Sequence, residues 1–452
     1  MNDRSQELYR NLKFLVIDDQ PNARQSLRIC AQTMGAFAVE FSSGYQDAIV
    51  RIRRSTPDVI LCDYLLGNDR SGQQLLEELR RYELLPDETV FMMVTAEQSY
   101  EQVVAAVELV PDDYIIKPFS PDRLKFRLDR ALQRKRFFRP LYQAKRNADF
   151  DSAERFVAAH RNSEAGQPYR FELLRQNAEL QLAKGDPVAA QTAFDEILGL
   201  HPFPWARAGK AKSLQRQNRF QEARTIVEEV IESSPMYFDA FDLKTRICMD
   251  MGDYEEAQRT VQDISARTGR NYVRKRLLAD AALLNGDAET ARSTMEDVLQ
   301  NDIVHGEPSI SDRLMLVRSH LDSGDSFAAE LALRKISAQS LETATLDEKT
   351  SHLALRAILS PDEARARFGA LRQSIETAGL GATAQVDVIR AALILDEQEL
   401  ATRVTAALFS SDEIRRVFKQ VRTLFESHGL ESVFRDLQKQ AALQKIRQAP
   451  RS

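Results

Sequence analysis

A short turn motif recurs through the middle of the chain at a nearly fixed interval, and no other feature limits the fold as tightly. Its copies are Lys184-Gly-Asp-Pro-Val-Ala-Ala190, Gln217-Asn-Arg-Phe-Gln-Glu-Ala223, Met251-Gly-Asp-Tyr-Glu-Glu-Ala257, Asn285-Gly-Asp-Ala-Glu-Thr-Ala291 and Ser323-Gly-Asp-Ser-Phe-Ala-Ala329. Measured between the last alanines, they stand 33, 34, 34 and 38 residues apart. A degenerate copy, Asn147-Ala-Asp-Phe-Asp-Ser-Ala153, lies 37 residues before the first. Other positions keep the same register. Twelve residues before each alanine stand Ala178, Ala211, Thr245, Ala279 and Val317, mostly small enough for close helix contact. Seven after stand the branched residues Ile197, Val230, Ile264, Val298 and Ile336. Twelve after come Pro202, Pro235 and Gly269, which suit the end of a second helix. Two helices joined by a turn cannot bury their own apolar faces, so successive copies must stack.

Composition narrows the rest. A chain of 452 residues holds about two or three domains. With 43% hydrophobic and 29% charged residues, but only 17 Gly and 15 Pro, it excludes wholesale disorder and favours helix. A net charge of −5 counts against nucleic acid as a partner. Cys30, Cys62 and Cys248 form no CxxC pair, so neither a disulfide framework nor a structural zinc site is expected, and a reducing cytoplasm is the expected setting. The polar start and the lack of any long apolar run predict neither export nor membrane spanning.

The first 135 residues read differently. Apolar runs at Phe14-Leu15-Val16-Ile17, Val59-Ile60-Leu61-Cys62, Val90-Phe91-Met92-Met93-Val94 and Tyr114-Ile115-Ile116 are continuous, as in parallel strands buried on both faces. A weaker run spans residues 36–41, and segments of helical periodicity lie between, such as 73–82 with Leu75, Leu76 and Leu79 inward. Five βα units make a doubly wound α/β sheet whose site lies at the carboxyl ends of its strands. Those ends carry Asp18-Asp19, Asp63, Thr95-Ala96 and Lys117-Pro118-Phe119. Three converging carboxylates repel one another unless a cation joins them, and oxygen-only ligands favour a hard ion such as Mg²⁺. Lys117 offers a point charge, and Thr95 a hydroxyl, to a phosphoryl oxygen. With no histidine or cysteine expected there to act as base, the expected chemistry is phosphoryl transfer onto a carboxylate.

In the motifs FLVIDD, ILCDYLLG, VTA and YIIKPF, residues 12–135 resemble the receiver domain of a two-component response regulator. The resemblance makes Asp63 the phosphoacceptor and Asp19 a direct Mg²⁺ ligand, with Asp18 holding the metal largely through water and Leu65 offering its backbone carbonyl. Lys117 would contact the phosphoryl group, Thr95 would move toward it, and Tyr114 would be either a rotating switch or simply a residue packed at the sheet edge. Many receivers have Met-Pro after the acceptor; here Asp63-Tyr-Leu-Leu-Gly67 has Gly in place of Pro, and the loop before Gly72 is one residue longer. Leu65 would shield an acyl phosphate from water, with Glu97 near the entrance, which predicts slow self-dephosphorylation.

The period near 34 resembles tetratricopeptide repeats, and the resemblance implies a concave groove that receives a peptide or helix from a partner protein. Arg175, Asn177, Lys212, Arg216, Lys244 and Arg276, on the first helices of the pairs, are the candidate groove residues, or else members of a solvated face. Between receiver and repeats, Leu124, Leu128 and Leu132 mark the last receiver helix, which runs into Arg134-Lys-Arg-Phe-Phe-Arg139. Pro140 is expected to break or kink it. Phe137, Phe138 and Leu141 are expected to dock on the first repeat. Beyond residue 341 the register fades, although helices are expected over 362–378, after a capping box from Ser360 to Glu363, and over 384–396, 397–408, 412–427 and 431–446.

The expected architecture is a five-stranded parallel α/β receiver followed by an all-α tetratricopeptide-repeat-like solenoid. The receiver takes residues 1–135, a helical linker with the degenerate repeat 136–169, and repeats 170–341. Residues 342–452 would be divergent helix pairs, capping helices or a homodimer surface. The function implied is a cytoplasmic response regulator, phosphorylated on Asp63 by a histidine kinase with Mg²⁺, that signals through an unidentified protein partner of the repeats. It would not be an enzyme beyond its own phosphoryl transfer and dephosphorylation. The rival reading is a DNA-binding transcription regulator with a divergent output module in residues 345–446, against which stand the acidic charge and the lack of a helix-turn-helix pattern.

Overall fold

Three of the four continuous apolar runs become the inner strands of a sheet because both of their faces are covered, and the fourth, over 114–116, becomes an edge strand. In the computed structural model, which describes residues 9–67, 71–81, 83–96, 111–268, 271–301, 309–360 and 379–448, the strands are β1 (Lys13–Ile17), β2 (Ala38–Ser42), β3 (Val59–Asp63), β4 (Val90–Thr95) and β5 (Asp113–Ile116). They pair in parallel in the order β2-β1-β3-β4-β5. Every residue of β4 is buried, whereas β2, at an edge, alternates between partly exposed and exposed positions before Ser42, which explains its weaker sequence signal. Helices α1 (Pro21–Thr33), α2 (Tyr45–Arg54) and α3 (Gly72–Arg81) follow the first three strands. Phe14, Val16, Leu61, Val94 and Leu128 share one core. Glu97, loop residues 68–70, Gly269, the helix expected over 362–378 and the end of its capping box at Glu363 lie outside the described residues.

The chain divides into two compact units, residues 1–243 with 269–271, and residues 244–268 with 272–452. In the first, α4 (Pro121–Arg146) starts at Ser120, whose side chain accepts the Arg123 N–H, and runs on for 26 residues. The break expected at Pro140 does not occur. A proline inside a helix removes one hydrogen bond and crowds the preceding turn, at roughly 3 kcal/mol. Here Phe138 and Leu141 are fully buried beside Pro140, packed with Ala153 and Val157 of α5 (Phe150–His160) and Leu173 of α6 (Arg170–Lys184). Burying two such side chains contributes more than the proline costs, at about 1.5–3 kcal/mol each. One helix therefore runs through residue 135, where the receiver was expected to end.

The helix pairs follow with one local geometry. In the first unit they are α6 with α7 (Pro187–Leu200) and α8 (Pro204–Arg216) with α9 (Phe220–Ser233); α10 (Phe238–Met251) comes next. The second unit contains α11 (Tyr254–Thr268), α12 (Tyr272–Asn285), α13 (Ala288–Asn301), α14 (Ile310–Asp322), α15 (Ser326–Arg334), α16 (Ala338–Thr343), α17 (Leu346–Leu359), α18 (Ala382–Ile394), α19 (Gln398–Ser410), α20 (Ile414–Ser427) and α21 (Glu431–Gln448). Five residues before each landmark alanine, the backbone turns left-handed: φ is +80° at Gly185, +80° at Gly252, +88° at Gly286 and +80° at Gly324. Asn218 (+60°) and Ala148 (+53°) take the same place in the other copies. The next N–H then reaches back to close the helix, as Asp186 does to the Gln181 carbonyl at 2.9 Å and Asp287 to Ala282 at 2.8 Å. Asp149, Asp186, Asp287 and Asp325 cap the following helices with their side chains. All six landmark alanines are fully buried.

The same turn appears twice more, where the sequence pattern had faded. Asp396 (φ +60°) precedes a Glu397 N–H bonded to the Ala392 carbonyl, and Gly429 (φ +71°) a Leu430 N–H bonded to Phe425. Ala401 and Phe434 hold the landmark place, both buried, with Ile389 and Leu408 at the flanking core positions of the former. The glycine is lost in one copy and the alanine in the other, but the turn persists in both.

Candidate functional site

The strand register assembles the site. Ile17 pairs with Cys62 and Thr95 with Ile116, so the residues that follow β1 and β5 emerge on the same sheet edge as the end of β3. Asp18, Asp19 and Asp63 accordingly bring one carboxylate oxygen each within 4.8 Å of one another. Lys117 Nζ reaches between them, donating to Asp18 Oδ2 at 2.9 Å and Asp63 Oδ2 at 3.2 Å. Asp18 is fully buried and also accepts the Gln20 N–H, whereas Asp19 is exposed. Asp63 accepts the Tyr64 N–H at 2.8 Å.

Burial raises the Asp63 carboxyl above its ordinary range, opposed by the Lys117 charge and reinforced by that of Asp18. For Lys117, burial alone would lower the ammonium pKa, but the bonds and charges of Asp18 and Asp63 outweigh it and raise it. Three carboxylates with a single lysine leave the cluster two negative charges in excess. The donor set is all oxygen, and a hard divalent cation fits both its chemistry and its charge.

The remaining receiver candidates lie on, or just beyond, the ends of strands β3, β4 and β5. Thr95 is buried at the end of β4, its carbonyl accepting the Lys117 N–H at 2.7 Å. Leu65 is 63% exposed and forms an isolated bridge with Ser71. Gly67, in the place of the usual proline, has φ +69°, which the fixed negative φ of proline could not supply. Gly72 lies so close to the acceptor strand that a Cβ there would stand 2.3 Å from the Asp63 carbonyl oxygen. Tyr114 is half-buried on the edge strand β5, with the Arg127 guanidinium 5.2 Å from its ring centre.

Three of the six groove candidates make ion pairs within the chain. Arg175 pairs with Glu179 at 2.7 Å and covers Trp205, Lys244 pairs with Glu256 at 2.8 Å, and Arg276 grips both Asp312 oxygens at 2.7 and 2.8 Å. A desolvated bidentate pair of this kind is not readily given up. Lys212 and Arg216 are exposed and Asn177 is half-buried. Within the second unit the pairing goes further: Arg318 binds the buried Asp387, Arg416 pairs with Asp280, and Tyr254 Oη donates to the Arg415 and Arg416 carbonyls. Helix α20 thereby closes on α11 and α12.

Sequence reasoning missed a second polar centre. Asp112, just before β5, has no side-chain exposure and receives Arg134 at 2.6 Å, Lys135 at 2.9 Å, Arg80 at 3.4 Å and the Phe91 N–H at 2.8 Å. Burial pushes its carboxyl up, but the charges of Lys135, Arg80 and Arg134 outweigh this and hold it below the usual range. Arg134 also lies 3.5 Å from Glu172 of α6. The basic run at 134–136, read as a linker, thus supplies two counterions to a receiver carboxylate. The Pro111-Asp-Asp113 stretch before the fifth strand was the available signal.

Known proteins resemble the chain in parts. Residues 14–129 match the response regulator receiver domain, and residues 204–229 and 275–297 match the tetratricopeptide repeat. The phosphate regulon transcriptional regulatory protein PhoB of Pseudomonas aeruginosa is 34% identical over 120 residues, which make up 26% of this chain and 51% of that protein. The protein of the same name from Escherichia coli is 33% identical over 122 residues, 27% of this chain and 52% of its own length. The chain spans about half the length of the curated relatives it matches. Among solved structures, a tetratricopeptide repeat protein from Parabacteroides merdae aligns with 60% of this chain and 99% of its own, at 13% identity and a TM-score of 0.43.

Proposed function

We propose that this chain, which carries a response regulator receiver domain followed by tetratricopeptide repeats, is a phosphorylation-controlled adaptor. Its receiver takes a phosphoryl group from a histidine kinase onto Asp63, and its repeats change their contact with a protein partner in response. The reading rests on the Lys117 ammonium held between Asp18 and Asp63 beside a cluster of three carboxylates.

The carboxylates of Asp18, Asp19 and Asp63 and the Leu65 carbonyl would hold Mg²⁺, which supplies positive charge against the phosphoryl oxygens when bound. An Asp63 oxygen attacks phosphorus as the phosphohistidine N–P bond breaks; an O–P bond forms and the imidazole leaves with its electron pair. Lys117 neutralises one phosphoryl oxygen and the Thr95 hydroxyl donates to another. The new charge biases Tyr114 and the face around β5 between two states.

A pull-down from cell extract tests the adaptor role, comparing the full chain with and without beryllofluoride, and the Asp63→Ala variant. A partner captured in a beryllofluoride-dependent way by the wild type alone supports it. Identical captures in every arm contradict it.

A further inference from the structure

Arginines gather in a cleft that the phosphoryl chemistry does not use. It opens between α4 and the start of α6, within the first unit, with a volume of about 800 Å³. Arg127, Arg130 and Arg134 line one wall and Arg170 the other. Asp112, Asp113 and Glu172 oppose them, but not evenly. Asp112 is already compensated by Arg80 and Lys135 in addition to Arg134, and Arg127 pairs with Asp113. Arg130 and Arg170 are exposed and pair with no carboxylate among the described residues. Their guanidinium groups are left over in a cleft that carries net positive charge.

We propose that this cleft binds a small phosphate-bearing anion of nucleotide size. Guanidinium forks match phosphate oxygens in bidentate geometry, and two unpaired forks on opposite walls can grip a polyphosphate between them. The volume falls in the range of small-molecule sites, and exposed Phe171, at the rim, offers an aromatic face for a base. Arg127 also stacks on Tyr114 and Arg134 also bridges Asp112 to Glu172, so an occupant touches the receiver's last strand and the first repeat together. Occupancy would therefore bias the same element as phosphorylation, by a separate chemical signal.

Calorimetric titration of the full chain with ATP and with pyrophosphate, both in EDTA so that no metal bridges ligand and receiver, tests this. Saturable binding is expected, weakened about tenfold or more in the Arg130→Ala/Arg170→Ala double variant and partly restored in Arg130→Lys/Arg170→Lys. Equal loss for both ligands identifies the phosphates as the group recognised; binding of ATP alone adds the base. The thermal midpoint of each variant, unchanged because both side chains are exposed, separates lost binding from lost fold. No saturable binding at millimolar ligand, equal binding by the double variant, or binding of a polyglutamate peptide in place of either phosphate ligand overturns the proposal.

Discussion

Lys117 Nζ lies 3.2 Å from Asp63 Oδ2 and, from the same ammonium, 2.9 Å from Asp18 Oδ2, so one cation serves two carboxylates that would otherwise face each other uncompensated. Asp19, exposed beside them, adds a third charge that the lysine does not reach.

A divalent cation is the natural complement, and Asp19 is where its removal is cleanest. Asp19→Asn should weaken Mg²⁺ binding by about tenfold or more while leaving the thermal midpoint of the metal-free protein unchanged or raised, because it removes repulsion as well as a ligand. Calorimetric titration with Mg²⁺ measures this. Wild-type affinity in the variant would show that the cluster does not ligate metal through Asp19.

Gly72 is held by contact. A methyl group there would meet the Asp63 carbonyl oxygen at 2.3 Å and Cys62 Sγ at 2.8 Å, both on a strand fixed between two others. Gly72→Ala should destabilise the receiver by about 2 kcal/mol, as overpacking does, and should slow phosphorylation by displacing the acceptor. Denaturant unfolding and labelling rates report the two effects.

At Asp112 the expectation concerns acid. Its carboxyl is held below the usual range in the folded chain, so the folded state binds fewer protons there than the unfolded one between the two pKa values. The stabilisation is complete above the unfolded value of roughly 3.9 and is lost as pH falls through the folded value. Asp112→Asn should flatten that acid limb. It should also cost about 3 kcal/mol at neutral pH, because Lys135, Arg80 and Arg134 lose a buried counterion. Urea unfolding of both proteins between pH 3 and 7 checks both claims.

The repeats offer a test in the opposite direction. Ala148 is exposed and sits at φ +53°, a conformation that costs an L-residue about 1–2 kcal/mol. Ala148→Gly should raise stability by about 1 kcal/mol, less whatever the freer unfolded chain takes back. The same change at Asn218, a residue type that tolerates this region, should do much less.

Much of this was legible in the residues. Continuous apolar runs marked the three inner strands and the edge strand β5, and the residues at their ends marked the cluster, because a parallel sheet with regular register brings its strand ends together whatever the loops do. The repeat was legible wherever Gly or Asn held the left-handed turn and Ala the close contact. It faded at Asp396 and Phe434, where other residues satisfy the same backbone geometry. Pro140 does not end its helix, because Phe138 and Leu141 are buried on either side of it. The ion pairs of Lys244 and Arg276 were not legible from spacing, because their counterions lie well along the chain, as Asp312 does, 36 residues from Arg276. Asp112 was overlooked because its three cations come from two different helices.

The central claim is that Asp63 is the phosphoacceptor. Incubating the full chain with acetyl phosphate and Mg²⁺, then locating the added phosphoryl group by mass spectrometry after borohydride trapping, tests it directly. The expected result is one modified residue, Asp63, with no label in Asp63→Asn and none in excess EDTA. Label on another residue, or undiminished labelling of Asp63→Asn, would contradict the account.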